Sequence, residues 1–249
     1  MIQVIPVPGI PVLNPGDDIV KTIYEALKNN PVKLLDDDII VIAHKIVSRA
    51  TRRLVKLSDV KPGKHALKIA GKMGEDPRKI QVILNESCRI IKSTSKHLIT
   101  ENKLGFICAN AGVDRSNSYP GEYVILPPVD PDKICEDIRV FIEDKMGVRI
   151  GVIMSDTHGR ALRRGAVGVC IGVSGIPALI SHKGRKDIFG YELKVTEIAI
   201  ADEIASAAEL VIGESDEKTP VAIIRGLTLN PAKSSHMDLI YPPEDRLFY

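Results

Sequence analysis

Two short apolar runs constrain this 249-residue chain more than any other feature. One is "IIVIA", residues 39–43, and the other is Arg149–Met154, which leads into "GVIMSDTHGRALRRG". Apolar runs of this length, bounded by polar residues, read as buried strands. The first is expected to end at His44-Lys45 and the second on Ser155-Asp156-Thr157-His158-Gly159, a polar loop. Around them strand-like and helical patterns alternate, which predicts an α+β fold of mixed α/β units.

The remaining segments fill in this frame. "IQVIPVPGIPVL" carries Pro6, Pro8 and Pro11, which cannot donate to a ladder, so it reads as an edge strand running into a loop at Gly9. Helices are predicted from an Asp17 or Asp18 cap through Leu27, over Lys64–Met73, from Pro77, and from Pro131 to a stop at Gly147. Residues 89–118 read as a hairpin or meander whose last strand is Leu104–Ala109. Gly165, Gly168, Gly172 and Gly175 fit neither nucleotide-binding glycine motif, and read as strands packed close to another backbone. "TEIAIADEIASAAELVIG" is the clearest helix, with Thr196 as its expected cap, and the tail "DLIYPPEDRLFY" reads as an extended arm. No linker separates two halves. The expected division is a discontinuous domain, 1–84 with 187–249, interleaved with an inserted domain, 85–186.

Composition excludes several function classes. With 34 basic and 32 acidic residues the net charge is +2, and aromatics are 4% of the chain with no Trp. Neither a generic polyanion binder nor an aromatic platform for nucleic acid is expected. No run reaches the ~20 apolar residues of a membrane span, and the N-terminus lacks a signal-peptide pattern, so a cytoplasmic protein is expected. Cys88, Cys108, Cys135 and Cys170 form no CxxC pair and read as buried free thiols.

Three sites at the ends of strands carry the chemistry: His44-Lys45, Asp114 in "NAGVDRSN", and Asp156-Thr157. Ligands of open sheets bind beyond the carboxyl ends of strands. Two carboxylates and a hydroxyl are hard oxygen donors suited to Mg²⁺ or Mn²⁺, which fill their shell with water and phosphate. The plain alternative for each aspartate is a turn or cap residue, and for Lys45 a snorkelling surface lysine. His158 is a candidate general base or a turn residue. Arg160, Arg163 and Arg164 are candidates for gripping an anionic substrate, or else a solvated face. The loop "GESDEKTP" is a candidate nest of backbone amides.

Taken together, "VPGIP", "AHKIVSRA", "NAGVDRSN", "SDTHGRALRRGAVGVCIGVSGI", "GRKDIFGYELKVTEIAIADEIASAAEL" and "DLIYPPEDRLF" resemble the archaeal-type coenzyme F420-0:L-glutamate ligase family over nearly the whole chain. The resemblance implies a homodimer with a two-domain α+β fold unlike ATP-grasp ligases. It implies a ligase in which GTP phosphorylates a carboxylate of coenzyme F420-0, L-glutamate attacks the acyl phosphate, and GDP and phosphate leave. Mg²⁺ or Mn²⁺ is implied, as two divalent ions, with K⁺ as a further candidate. By the same resemblance Gly9, Ile10, Pro11, Val12, Lys45 and Asn117 contact nucleotide, as does the loop Gly213, Glu214, Ser215, Asp216, Glu217, Lys218 and Thr219. Asp114 and Asp156 match one metal position and Thr157 a second; Lys45, Asp114 and Asp156 are the catalytic set. The loop departs from the family's shorter "ADGxPVA"-like turn by carrying extra charge. Two other readings are a nucleotide-dependent ligase acting on a different phospho-carboxylate, and an RNA-interacting protein, which the balanced charge opposes.

Overall fold

The computed structural model describes residues 1–246; the part of the predicted arm at 247–249 lies outside the described residues. The chain opens with strand β1 (Gln3–Pro6), helix α1 (Ile19–Lys28) and strand β2 (Ile39–Ala43). Asp18 caps α1 by accepting from the Lys21 amide, one of the two caps expected. β2 does not run on through His44-Lys45: helix α2 (His44–Ala50) begins there, so both residues sit in the first turn of a helix. The middle of the chain holds β3 (Leu54–Lys56), α3 (Lys64–Met73), α4 (Pro77–Glu86), the meander β4 (Ser87–Ser93), β5 (Leu98–Asn102) and β6 (Ile107–Ala109), and β7 (Tyr123–Ile125). After α5 (Pro131–Met146) come β8 (Gly151–Gly159), β9 (Ala166–Ser174), β10 (Ile180–Ser181), β11 (Glu197–Ile198), α6 (Ile200–Ile212) and β12 (Val221–Arg225).

Five strands form the central sheet in the order β1-β12-β2-β8-β9, drawing on all three parts of the chain, 1–84, 85–186 and 187–249. The proline-bearing β1 is at its edge, as its missing donors require. Only β2 and β8 are parallel; every other neighbour in this sheet is antiparallel. Helices α1 and α5 cover one face over a core that includes Ile23, Ile40, Ile138 and Met154. Helix α6 covers the other over Val41, Ile153, Ala205 and Ile224. A third core, drawn from residues 57–126, joins α3 and α4 to β5 and β7 through Leu98 and Val124. The arrangement is an α+β fold, as the alternation of patterns predicts. Among the described residues no helix is long and apolar enough to cross a membrane.

Three local expectations are corrected. β8 does not stop at Met154; Asp156, Thr157 and His158 stay in the strand because β9 pairs with them as far as Gly159. α6 starts after Ala199 rather than Thr196, because Glu197 and Ile198 pair with β10 instead. Cys88 is exposed, whereas Cys108, Cys135 and Cys170 are buried, and all four are free. The glycine expectation holds on one strand, β9. A Cβ on Gly168 would lie 2.6 Å from Ala205 O of α6, and one on Gly172 would lie 2.6 Å from Pro131 Cβ at the start of α5. The two glycines face opposite layers because a register shift in the β8–β9 ladder after Met154 inserts a residue in β9 between them.

Candidate active site

Strand direction decides where the site forms. β2 and β8 run parallel with Ala43 beside Ser155, so their carboxyl ends point the same way. β12 runs against β2, which brings the segment before Val221 to that same end, where Ala43 N donates to Pro220 O at 2.9 Å. β1 runs against β12, so the loop after Pro6 arrives there too, with Val7 N on Val221 O at 2.9 Å. Four chain segments distant in sequence thus meet around one cleft of about 390 Å³.

Ile10, Pro11 and Val12 form one wall of the cleft, and the whole loop from Gly213 to Thr219 forms another. Lys45, Asp114, Asn117, Asp156 and Thr157 line it between these walls. Gly9 lies beside it, in an adjoining groove along α1. Arg160, Arg163 and Arg164 are elsewhere: they occupy the exposed β8–β9 turn, where Arg160 donates to Arg164 O at 2.8 Å, and none lines the cleft. Asn117 Nδ2 donates to Ser215 O at 3.1 Å, tying the loop that carries Asp114 to the Gly213–Thr219 wall.

Both aspartates are held ionised by different partners. Lys45 Nζ lies 2.6 Å from Asp114 Oδ2, and Ser116 Oγ donates to the same oxygen at 2.5 Å. Partial burial pushes the Asp114 carboxyl upward, but Lys45 and Ser116 outweigh it and bring it to about 2. Asp156 sits between two imidazoles, His44 Nε2 at 3.2 Å from Oδ1 and His158 Nε2 at 3.0 Å from Oδ2. Burial again opposes ionisation, and the facing imidazoles overcome it, holding the carboxyl well below the usual carboxylate range. An ionised carboxylate only accepts, so both imidazoles donate through Nε2. His44 Nδ1 in turn lies 3.3 Å from Ser48 Oγ, one turn along α2.

Opposite Asp156 the balance of charge reverses. Thr157 Oγ1 donates to Glu214, and Glu209 of α6 lies over Gly168, the ladder partner of Thr157. Glu209 Oε2 is buried without a hydrogen-bond partner. Burial, then the charges of Glu214 and Asp156, push its pKa upward. Such a set of hard oxygen donors, short of positive charge, fits a divalent cation in its chemistry. Among the described residues no three His, Cys, Asp or Glu side chains converge as a ready-made metal cage.

Of the residues that line this cleft, the sequence reading gave no specific role to nine, among them His44, Arg49, Ser155, Gly168 and Glu209. Arg49 donates to Ser118 O at 3.0 Å and to Asn117 O at 2.5 Å, fixing the loop that carries Asp114. Its signal was present, since Lys45 and Arg49 are four apart and share one helix face.

A cleft at the carboxyl end of parallel strands, with a lysine, two ionised aspartates and a main-chain loop, is suited to a phosphate-bearing ligand. The chain belongs to the F420-0:Gamma-glutamyl ligase family, whose model matches residues 9–226. It is 46% identical over 239 residues to the Coenzyme F420:L-glutamate ligase of Methanocaldococcus jannaschii, covering 96% of this chain and 94% of that one. The proteins of the same name from Methanopyrus kandleri and Archaeoglobus fulgidus are 44% and 38% identical, covering 91% and 98% of this chain and 87% and 94% of theirs. Membership makes the chain a ligase that forms γ-glutamyl bonds.

Proposed function

We propose that this protein adds L-glutamate residues to coenzyme F420-0 through γ-linkages, using GTP and an acyl-phosphate intermediate. The observation that carries the reading is the meeting of the Ile10–Val12 and Gly213–Thr219 loops with Lys45, Asp114, Asn117, Asp156 and Thr157 at one cleft. The names of the relatives supply the acceptor class and the amino acid.

A carboxylate repels nucleophiles, so it must first be given a leaving group. In the proposed sequence a carboxylate oxygen of coenzyme F420-0 attacks the γ-phosphorus of GTP and GDP departs. The glutamate amine then attacks the acyl carbon, phosphate leaves, and the nitrogen gives up a proton. Phosphoryl transfer asks little covalent work of side chains and much positioning and charge stabilisation. Lys45 offers a compact positive charge to phosphate oxygens, held in place by Asp114. Arg49 and Asn117 keep the Asp114 loop against the nucleotide loop. Asp114, Asp156 and Thr157 would hold Mg²⁺ or Mn²⁺, which when bound neutralises phosphate charge, with K⁺ as an accompanying ion. With its Nε2 turned onto Asp156, His158 serves this reading as a holder of that carboxylate rather than as a base.

A homodimer is part of the same proposal. The ribbon that carries β10 and β11 exposes Ile188, Phe189 and Val195 almost completely and Tyr191 substantially, a large apolar surface for a second copy to cover.

The test is incubation with GTP, Mn²⁺, L-glutamate and coenzyme F420-0. Mass spectrometry is expected to show added glutamate together with GDP, and Asp156→Asn to lose both while remaining folded. No mass gain and no GDP would sink the proposal, and equal use of ATP would remove its guanine part.

A further inference from the structure

Phe106 stands where three separate parts of the molecule meet, and neither the family nor the proposed reaction gives it a role. It lies in the β5–β6 turn, which buried Asn102 fixes by accepting the amides of Leu104 and Phe106 at 3.0 Å each while donating its own amide to Phe106 O. From that turn its ring enters the core under the central sheet. There it meets the His158 ring edge to face, with centroids 5.6 to 5.7 Å apart on both its imidazole neighbours and an interplanar angle of 79° at His158. On the other side the His236 ring tilts against it at 34°. His236 is itself anchored, with Nδ1 2.8 Å from Asp132 Oδ2 at the start of α5.

We propose that Phe106, backed by His236, is a positioning residue that sets the His158 ring and through it the Asp156 carboxylate. A histidine ring holding a carboxylate at 3.0 Å is free to rotate unless something packs against its face or edge. Phe106 fills that position with a flat, stiff side chain of two torsions, and His236 stops it from retreating. Asp156 on its own strand and Phe106 from the β5–β6 turn touch His158, and Asp202 of α6 lies close enough to feel its charge. Phe106 does not touch the cleft and takes no part in the chemistry. The proposal rests on the reading that Asp156 serves the metal and nucleotide site.

The experiment is a double-mutant cycle on the full chain, with Phe106→Leu, His158→Asn and the two combined. Partners of this kind typically change metal affinity or activity by about 10-fold or more. Phe106→Leu is expected to lower kcat by about 10-fold, with the nucleotide KM nearly unchanged, and to weaken Mn²⁺ binding to the free protein, followed by calorimetry, by a similar factor. Phe106→Tyr, which keeps the ring, is expected to restore both. In the His158→Asn background, Phe106→Leu is expected to have no further effect. Full multiplication of the two effects would overturn the proposal, as would failure of Phe106→Tyr to rescue or a loss accounted for by a smaller folded fraction. If Asp156→Asn keeps full activity, the reading of the site fails instead, whatever the cycle shows.

Discussion

The close approach of Gly168 to α6 offers a direct test of how packing sets the site. Gly168→Ala would place a Cβ 2.6 Å from Ala205 O and 2.8 Å from Glu209 Oε2. The Glu209 carboxylate is the end of a side chain and can turn away, but Ala205 O is main chain inside α6. Bringing that oxygen to an ordinary 3.4 Å contact requires a displacement of about 0.8 Å. Overpacking of this kind costs about 1–3 kcal/mol, which for a chain of this size lowers Tm by roughly 4–8 °C at the middle of that range. Because α6 runs directly into Gly213, the same shift moves the nucleotide loop, and the nucleotide KM is expected to rise. Gly159→Ala is the control: it lies on the partner strand, and nothing is within 4 Å of its added Cβ. Its stability is expected to stay within about 0.5 kcal/mol of wild type. Urea unfolding of both variants, with nucleotide KM measured in parallel, provides the readout. A Gly168→Ala midpoint equal to wild type, or equal losses in the two variants, would refute the reasoning.

Three further outcomes follow from the geometry. Asp114 titrates at about 2 in the fold and about 3.9 unfolded, so its stabilisation is complete above the unfolded value and disappears as pH falls through the folded one. Its side chain is 44% exposed, so screening limits the contribution to about 1 kcal/mol. Lys45→Met is expected to lose that amount near pH 7 and to approach wild type only as pH falls below the folded value, and an unfolding-free-energy gap that does not shrink in acid contradicts the pairing. A thiol reagent is expected to label Cys88 rapidly in the native protein and the other three only on unfolding, since burial pushes Cys108 up to about 12 and raises Cys135 and Cys170 as well. Phe189→Ser is expected to shift the protein from dimer to monomer in light scattering while its circular dichroism spectrum stays native, and a monomeric wild type would end the dimer proposal.

How much of this was legible beforehand depended on whether the cause was local. Asp18 capping α1 and Pro77 and Pro131 opening helices are local chemistry, and each is where the residue pattern places it. Non-local pairing was not readable. Asp156, Thr157 and His158 look like loop residues until Val169, Gly168 and Val167 are known to pair with them. Thr196 is a good cap until β10 draws Glu197 and Ile198 into a ladder. In the site, Lys45, Asp114, Asp156 and Thr157 could be nominated because each interrupts or follows an apolar run. The role of His44 could not be, because it requires β2 to turn directly into a helix beside β8. The spacing of His44 and Ser48 was its one available trace.

The bond from Asn117 to the Ser215 carbonyl has an evolutionary consequence. The clasp reads main chain, and every amino acid supplies a carbonyl there. Residue 215 can therefore change freely without opening the cleft, whereas residue 117 cannot. That freedom belongs to position 215 alone, because the charged neighbours Glu214 and Glu217 are tied by their side chains, one to Thr157 and the other to the Ser215 amide.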